Sequence, residues 1–234
     1  MKTSRGILLP PIPEKLWKID ESTVGQHFSL SEADQCYYVW EYTAGKRYDF
    51  SPTNHLIKNL KIKPTEIAKS PRRDHYKQQA INHAAAALRH LLPRAAAEQR
   101  MTFVPVPGSK AAGDPDYDDR MLQVLRRALQ GWAVEIRPVL QLIQSTPADH
   151  EAADRQPYHD LLAISRLEDP SAKDLHPIVV VVDDVLNSGK HYKVAQTLIS
   201  AHFPDVEIRG LFLARCVRDN PPESETLPSW FRCS

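Results

Sequence analysis

The stretch VVVVDDVLNSGKHYKV, residues 179–194, decides how this chain is read. Its valines follow Ile178 and form an uninterrupted β-branched run, the composition of a strand covered on both faces and so of a central parallel strand. Asp183 and Asp184 end the run. Asn187, Ser188, Gly189, Lys190 and His191 then lead into Val194, Ala195, Leu198, Ile199 and His202, which recur at helical spacing. Ligands of open α/β sheets sit beyond the carboxyl ends of the strands, so Asp183 to His191, between strand and helix, is the leading candidate site. A purely structural reading has the two aspartates terminate the strand and cap the helix. Against it stands the desolvation and mutual repulsion of two adjacent carboxylates at the end of a buried strand with nothing bound to them. The start of a helix offers backbone N–H groups and a positive dipole end to a phosphate, and Gly189 lets the backbone approach closely. A Walker A loop needs glycine five positions before its Gly-Lys pair and Ser or Thr after it; Asp184 and His191 occupy those places and exclude it.

On either side, strand and helix signals alternate. CYYVWEYTAG (36–45) has the aromatic and β-branched composition of a strand, expected to lie outside the main sheet, while residues 1–35 are irregular and wrap the surface. Ser70-Pro71 opens a helix over about 71–92, carried by Ile81, Ala84, Ala85, Leu88, Leu91 and Leu92 and stopped at Pro93. A buried strand over 102–106 ends at Pro107-Gly108, and Met121, Leu122, Leu125, Ala128 and Leu129 make the next helix. AVEIRPVLQLI (133–143) is extended, a polar stretch follows, and a short helix is expected around 158–167. EIRGLFLARCV (207–217) is a last buried strand. This alternation predicts an α/β fold with a Rossmann-like open, mostly parallel sheet flanked by helices and an N-terminal elaboration. Residues 1–70 form that extension and a partial hood, 71–220 the core, and 221–234 a proline-rich polar tail.

Bulk composition narrows the function classes. The 30 Lys and Arg residues against 29 Asp and Glu give a net charge of +1 over 234 residues, so no global basic field advertises nucleic acid. Cys36, Cys216 and Cys233 are scattered without CxxC spacing, which argues against a disulfide framework and a thiolate zinc site and fits a reducing cytoplasm. The apolar run near the N-terminus, Ile7 to Leu9, is too short for a signal peptide, and no segment approaches the roughly 18 apolar residues of a membrane span. A cytoplasmic protein without a membrane partner is expected.

IVVVVDDVLNSGKH (178–191) resembles the phosphoribosyl-diphosphate (PRPP) motif of type I phosphoribosyltransferases: a hydrophobic run, two acids, two hydrophobics and a small polar loop. FVPVPGSK (103–110) is similar to the strand and pyrophosphate loop of the ComF-like branch of that family, and FLARCV (212–217) to the strand after the PRPP helix. LIKNLKI (56–62) and QSTPADHEAADRQPYHD (144–160) are similar to that branch's N-terminal region and mobile loop. The resemblance implies the type I phosphoribosyltransferase fold. It implies that Asp183 and Asp184 hold the ribose hydroxyls as catalytic carboxylates, and that Asn187, Ser188, Gly189, Lys190 and His191 cradle the 5′-phosphate. Gly108, Ser109 and Lys110 would bind pyrophosphate, and Arg155 or His159 would close over the site from the mobile loop. No protein ligand to a metal is implied; Mg²⁺ is expected through PRPP itself.

The sequence also departs from the pattern. Asn187 and Ser188 stand where many members carry threonines, and Asn187 stands where the purine-salvage branch has an aspartate base, which disfavours hypoxanthine or guanine as acceptor. His191 replaces a small hydroxyl residue, the N-terminal cysteine module of many ComF-like proteins is absent, and no base-recognition signature is visible. Two functions therefore stay open: transfer of ribose 5-phosphate to an unidentified acceptor with loss of pyrophosphate, and a non-catalytic module sensing PRPP or a nucleotide or accompanying single-stranded DNA. A hydrolase on the same sheet has only the fold in its favour. A homodimer is left open. The acidic run GDPDYDDR (113–120) lacks calcium-loop spacing and reads as charge at a helix start. Lys69, Arg72, Arg73 and His75 read as a solvated basic face.

Overall fold

The computed structural model describes residues 8–146, 157–168 and 175–217. In chain order these form β1 (Trp17–Lys18), β2 (Gln35–Thr43), α1 (Pro52–Leu60), α2 (Pro64–Lys69), α3 (Arg72–Leu91), α4 (Arg94–Arg100), β3 (Met101–Pro105), α5 (Arg120–Ala128), β4 (Glu135–Ile136), β5 (Leu140–Leu142), α6 (Tyr158–Ala163), β6 (Ser165–Leu167), β7 (Ile178–Leu186), α7 (Lys190–His202) and β8 (Glu207–Val217). Six strands make one sheet in the order β1-β2-β8-β7-β3-β4, parallel throughout except for the two-residue β1 at one edge. β5 and β6 pair separately as a small antiparallel ribbon. The molecule is thus α/β, with a mostly parallel six-stranded mixed sheet flanked by helices. Among the described residues no helix is long and apolar enough to cross a membrane.

The strand order positions the site. From β3 the chain crosses over through α5 and moves outward to β4, whereas from β7 it crosses through α7 and moves the other way to β8. Right-handed crossovers that run in opposite directions put their helices on opposite faces of the sheet. Met121, Val124 and Leu125 of α5 accordingly share a core with Leu56 and Ile57 of α1, Ile81 and Leu88 of α3, and Val180 and Val182 of β7. Tyr192, Ala195 and Ile199 of α7 share the other core with Val179 and Val181. Connections diverge between β3 and β7, which opens a crevice at their carboxyl ends, the usual ligand position in such sheets.

Three expectations change. The strand over 36–45 was expected outside the main sheet, yet β2 lies within it, in register with β8 from Gln35 opposite Arg209 to Thr43 opposite Val217. Cys36 and Val39 are completely buried there, as a strand rich in aromatic and β-branched residues requires when a second strand covers its edge. The acidic pair was expected after the strand, but β7 continues through Asp183 and Asp184 to Leu186 because β8 keeps pairing with it after β3 has ended at Pro105. Elsewhere α3, β3, α5 and β8 lie within a residue or two of their expected spans, and α7 begins at Lys190, within the loop expected to wrap its start, and ends at His202. The expected 158–167 helix stops at Ala163, and Ser165 to Leu167 pair with β5 instead.

Candidate functional site

Because successive side chains of a strand point to opposite faces, Asp183 and Asp184 cannot act as one clamp on the same side. Asp183 shares its parity with Val179 and Val181 and faces the α7 layer, where its Oδ2 lies 3.8 Å from Nδ1 of His191. Asp184 shares its parity with Val180 and Val182 and faces the α1 and α5 layer. There its Oδ1 meets Nζ of Lys61 at 2.9 Å, and its Oδ2 accepts from Nε and Nη2 of Arg120 at 2.7 and 2.5 Å. Burial alone would raise the Asp184 carboxyl, which is 3 % exposed, but the Lys61 and Arg120 cations reverse this and hold it well below the usual carboxylate range. The desolvation problem posed by the adjacent carboxylates is therefore solved at Asp184 by the protein itself.

This ion pair continues into a larger network. Nη1 of Arg120 donates to Asp118 at 3.0 Å, and Nζ of Lys77 donates to the same carboxylate at 2.6 Å and to the carbonyl of Ile62 at 2.7 Å. Lys77, on the buried face of α3, is 4 % exposed; burial pulls its ammonium down and Asp118 offsets part of that shift. Lys61 follows the end of α1 and Arg120 opens α5, so Asp184 stitches two helices to the central strand. The acidic run serves this assembly, since Asp116 accepts from Thr65, Asp114 from Ser145 and Asp119 from Gln123, and no acidic residue lies in the first turn of α5. Charge at a helix start was the expected role: Asp119 takes the N-cap position of α5 and Asp118 accepts from the N–H of Arg120, while Asp114, Asp116 and Asp118 also fix neighbouring segments.

On the other face, a cleft of about 470 Å³ is bounded by Asp183, Ser188, Gly189, Lys190, His191 and Tyr192, which gathers the predicted phosphate loop around one carboxylate. Its geometry depends on the N-terminal segment. The backbone N–H of Ser29 donates to the carbonyl of Ser188 at 2.9 Å, Nδ1 of the fully buried His27 meets the carbonyl of Asn187, and Leu30 lies over Gly189. That segment is itself pinned by Asp34, whose carboxylate accepts from Nζ of Lys193 at 2.9 Å and from Ser31. With loop carbonyls engaged from outside, the helix start presents its donor end to the cleft.

Gly189 caps α7 at a φ of +90°, and a Cβ there would stand 2.7 Å from Cδ2 of Leu30. Gly189→Ala is therefore expected to cost about 1–2 kcal/mol in backbone conformation alone. Thermal denaturation should register a loss of roughly 2–8 °C, and ribose 5-phosphate should bind more weakly as Leu30 is displaced. An unchanged melting temperature would show that the loop relaxes freely.

The predicted pyrophosphate loop borders the same crevice. A Cβ on Gly108 would lie 3.3 Å from Nη1 of Arg120, so this loop runs directly above the Asp184 network. Lys110 donates to the carbonyl of Thr146 at 3.1 Å, and the N–H of Thr146 donates to the carbonyl of Ser109 at 2.8 Å. These contacts tie the loop to the start of the stretch similar to a mobile loop. His159 lies exposed on α6, its ring edge-on to Tyr158, and is not brought into the cleft. Arg155 falls outside the described residues.

Sequence reading missed Lys61, Lys77, Arg120 and Asp118. The period of two through β7 is a signal that the aspartates diverge, but nothing local links Asp184 to Arg120, 64 positions away. Other polar and aromatic side chains have structural roles. His83 stacks on Trp40 and meets the carbonyl of Pro10, Trp132 packs against Arg89 and Arg94, and Arg73 pairs with Glu66 on the surface. Among the described residues no three His, Cys, Asp or Glu side chains gather as a metal site. Fold and site together define a mostly parallel α/β protein with a carboxylate and a helix start facing one cleft at the carboxyl end of β7. Compared with protein-family models and with curated proteins, the chain matches none of them.

Proposed function

We propose that the chain binds PRPP at the β7–α7 cleft and transfers ribose 5-phosphate to an acceptor, releasing pyrophosphate. The observation that carries this reading is the meeting of Asp183 with the 187–191 loop in one cleft, next to a cavity that shares His191 and is lined by Gly108. The helix start and its backbone donors suit a 5′-phosphate, and Asp183 suits the hydroxyls of the attached ribose. In the transfer, the acceptor lone pair forms the bond to C1 as the C1–O bond breaks and its electron pair leaves with pyrophosphate; the acceptor proton passes to solvent. Asp183 steadies the hydroxyls as C1 becomes oxocarbenium-like, and Lys110 neutralises the departing pyrophosphate. Mg²⁺ bound through PRPP would supply further neutralisation of that leaving group. Among the described residues one carboxylate, Asp183, lines the cleft, which fits an ion that prefers substrate phosphates and water to an all-protein cage.

A second reading, a module that binds PRPP or a nucleotide without transfer, is favoured by one observation: Asp184 is already engaged by Lys61 and Arg120, so one carboxylate rather than two is directed to the ribose. Calorimetric titration with PRPP and Mg²⁺, followed by a pyrophosphate assay over nucleobases and amines, separates the readings. Saturable binding with pyrophosphate release is the expected result. Binding without release for any acceptor supports the sensor, and absence of binding overturns both.

A further inference from the structure

A second cavity, of about 350 Å³, adjoins the phosphate cleft and shares His191 with it. Its walls are apolar: Val106 after β3, Leu140 of β5, Leu161 of α6, and Val194, Ala195 and Leu198 along one face of α7. Gln141, Ser165 and His191 bring the polar side chains. Gln141 is committed at both ends, its Nε2 donating to Glu168 and its Oε1 accepting from Arg166. Ser165 donates its hydroxyl proton to the carbonyl of Leu161 at 2.6 Å, which leaves its oxygen able only to accept. Among the described residues, the lining side chains include no Lys, Arg, Asp or Glu.

We infer that this cavity is the acceptor subsite, and that it takes a neutral, chiefly apolar ring compound bearing an N–H or O–H. Walls of this kind favour apolar burial over burial of charge. A charged acceptor entering it would lose its hydration without a counter-charge in return. One donor on the ligand is met by the Ser165 oxygen, and the end near His191 and Gly108 faces the crevice where ribose and pyrophosphate are proposed to lie. The acceptor role rests on the PRPP reading; the cavity's preference for a neutral ring does not.

Titration calorimetry of the full chain with indole tests the preference, using indole-3-carboxylate as the charged analogue and ribose 5-phosphate as an independent measure of the neighbouring cleft. Indole should saturate, and the carboxylate should bind at least tenfold more weakly. Ala195→Phe fills the cavity from α7 and should weaken indole tenfold or more while ribose 5-phosphate binds as before. Should circular dichroism show that this variant is unfolded, Leu198→Phe, which fills the cavity from its partly exposed rim, decides the point. Failure of indole to bind, equal affinity for the carboxylate, or indole binding indifferent to the filling variant that folds would each overturn the inference. Loss of ribose 5-phosphate binding alone, with indole bound as expected, would count against the PRPP reading and leave the cavity's preference standing.

Discussion

Asp184→Asn is expected to cost the fold about 3–5 kcal/mol, the usual penalty for removing one partner of a buried ion pair. At this chain length that corresponds to a drop of roughly 6–20 °C in melting temperature. The amide keeps one oxygen acceptor but removes the charge that compensates Arg120, itself held above its ordinary range because Asp184 and Asp118 outweigh its burial. Lys61, after α1, and Arg120, at the start of α5, would then face each other across a neutral group. The same pair sets a pH dependence. Asp184 is held below its ordinary value of 3.8, so its contribution is complete above that value and fades as pH falls toward the lower folded-state value. Denaturation midpoints measured from pH 6 down to pH 2 should fall less steeply in Asp184→Asn than in the wild type. A variant melting within 2 °C of wild type with the same acid limb would show that the carboxylate is not buried among cations.

Asp183→Asn should do the reverse. Asp183 is held more loosely, its Oδ2 3.8 Å from Nδ1 of His191 and its Oδ1 accepting from the N–H of Asp184, so the melting temperature should shift little. Ligand affinity should collapse instead. A hydrogen bond to a charged group contributes about 1.5–3 kcal/mol, and its loss corresponds to roughly 10- to 150-fold weaker binding of ribose 5-phosphate. Calorimetry on the two variants side by side gives the contrast: Asp183→Asn stable and unable to bind well, Asp184→Asn unstable and, at a temperature where it remains folded, less impaired in affinity. Equal effects of both substitutions on affinity would mean that the two carboxylates act as one ligand set after all.

The contrast between neighbouring aspartates marks how far the chain could be read in advance. Helices α3, α5 and α7 were visible because their apolar residues recur at helical spacing, and strands β3, β7 and β8 because they are short apolar runs of the kind a covered strand needs. β2 was recognised as a strand but misplaced, since sheet membership depends on an edge offered by β8, about 170 residues later, and not on local composition. The loop at 187–191 was legible as a helix start with a glycine the backbone needs at positive φ. Its support was not: His27, Ser29 and Leu30 come from a segment whose irregular sequence carries no periodic signal.

By itself, the sequence determined an α/β sheet, a central strand leading into two carboxylates, and a polar loop opening a helix at its carboxyl edge, because each follows from local chemistry: β-branched burial, alternation and helix-start geometry. Only the tertiary structure decided which carboxylate is available to a ligand. Lys61 and Arg120 reach Asp184 through the packing of α1 and α5 on one face, while α7 brings His191 to Asp183 on the other. Long-range charge pairing has no period and no local preference to betray it. It is set by which helices the crossovers place on each face of the sheet.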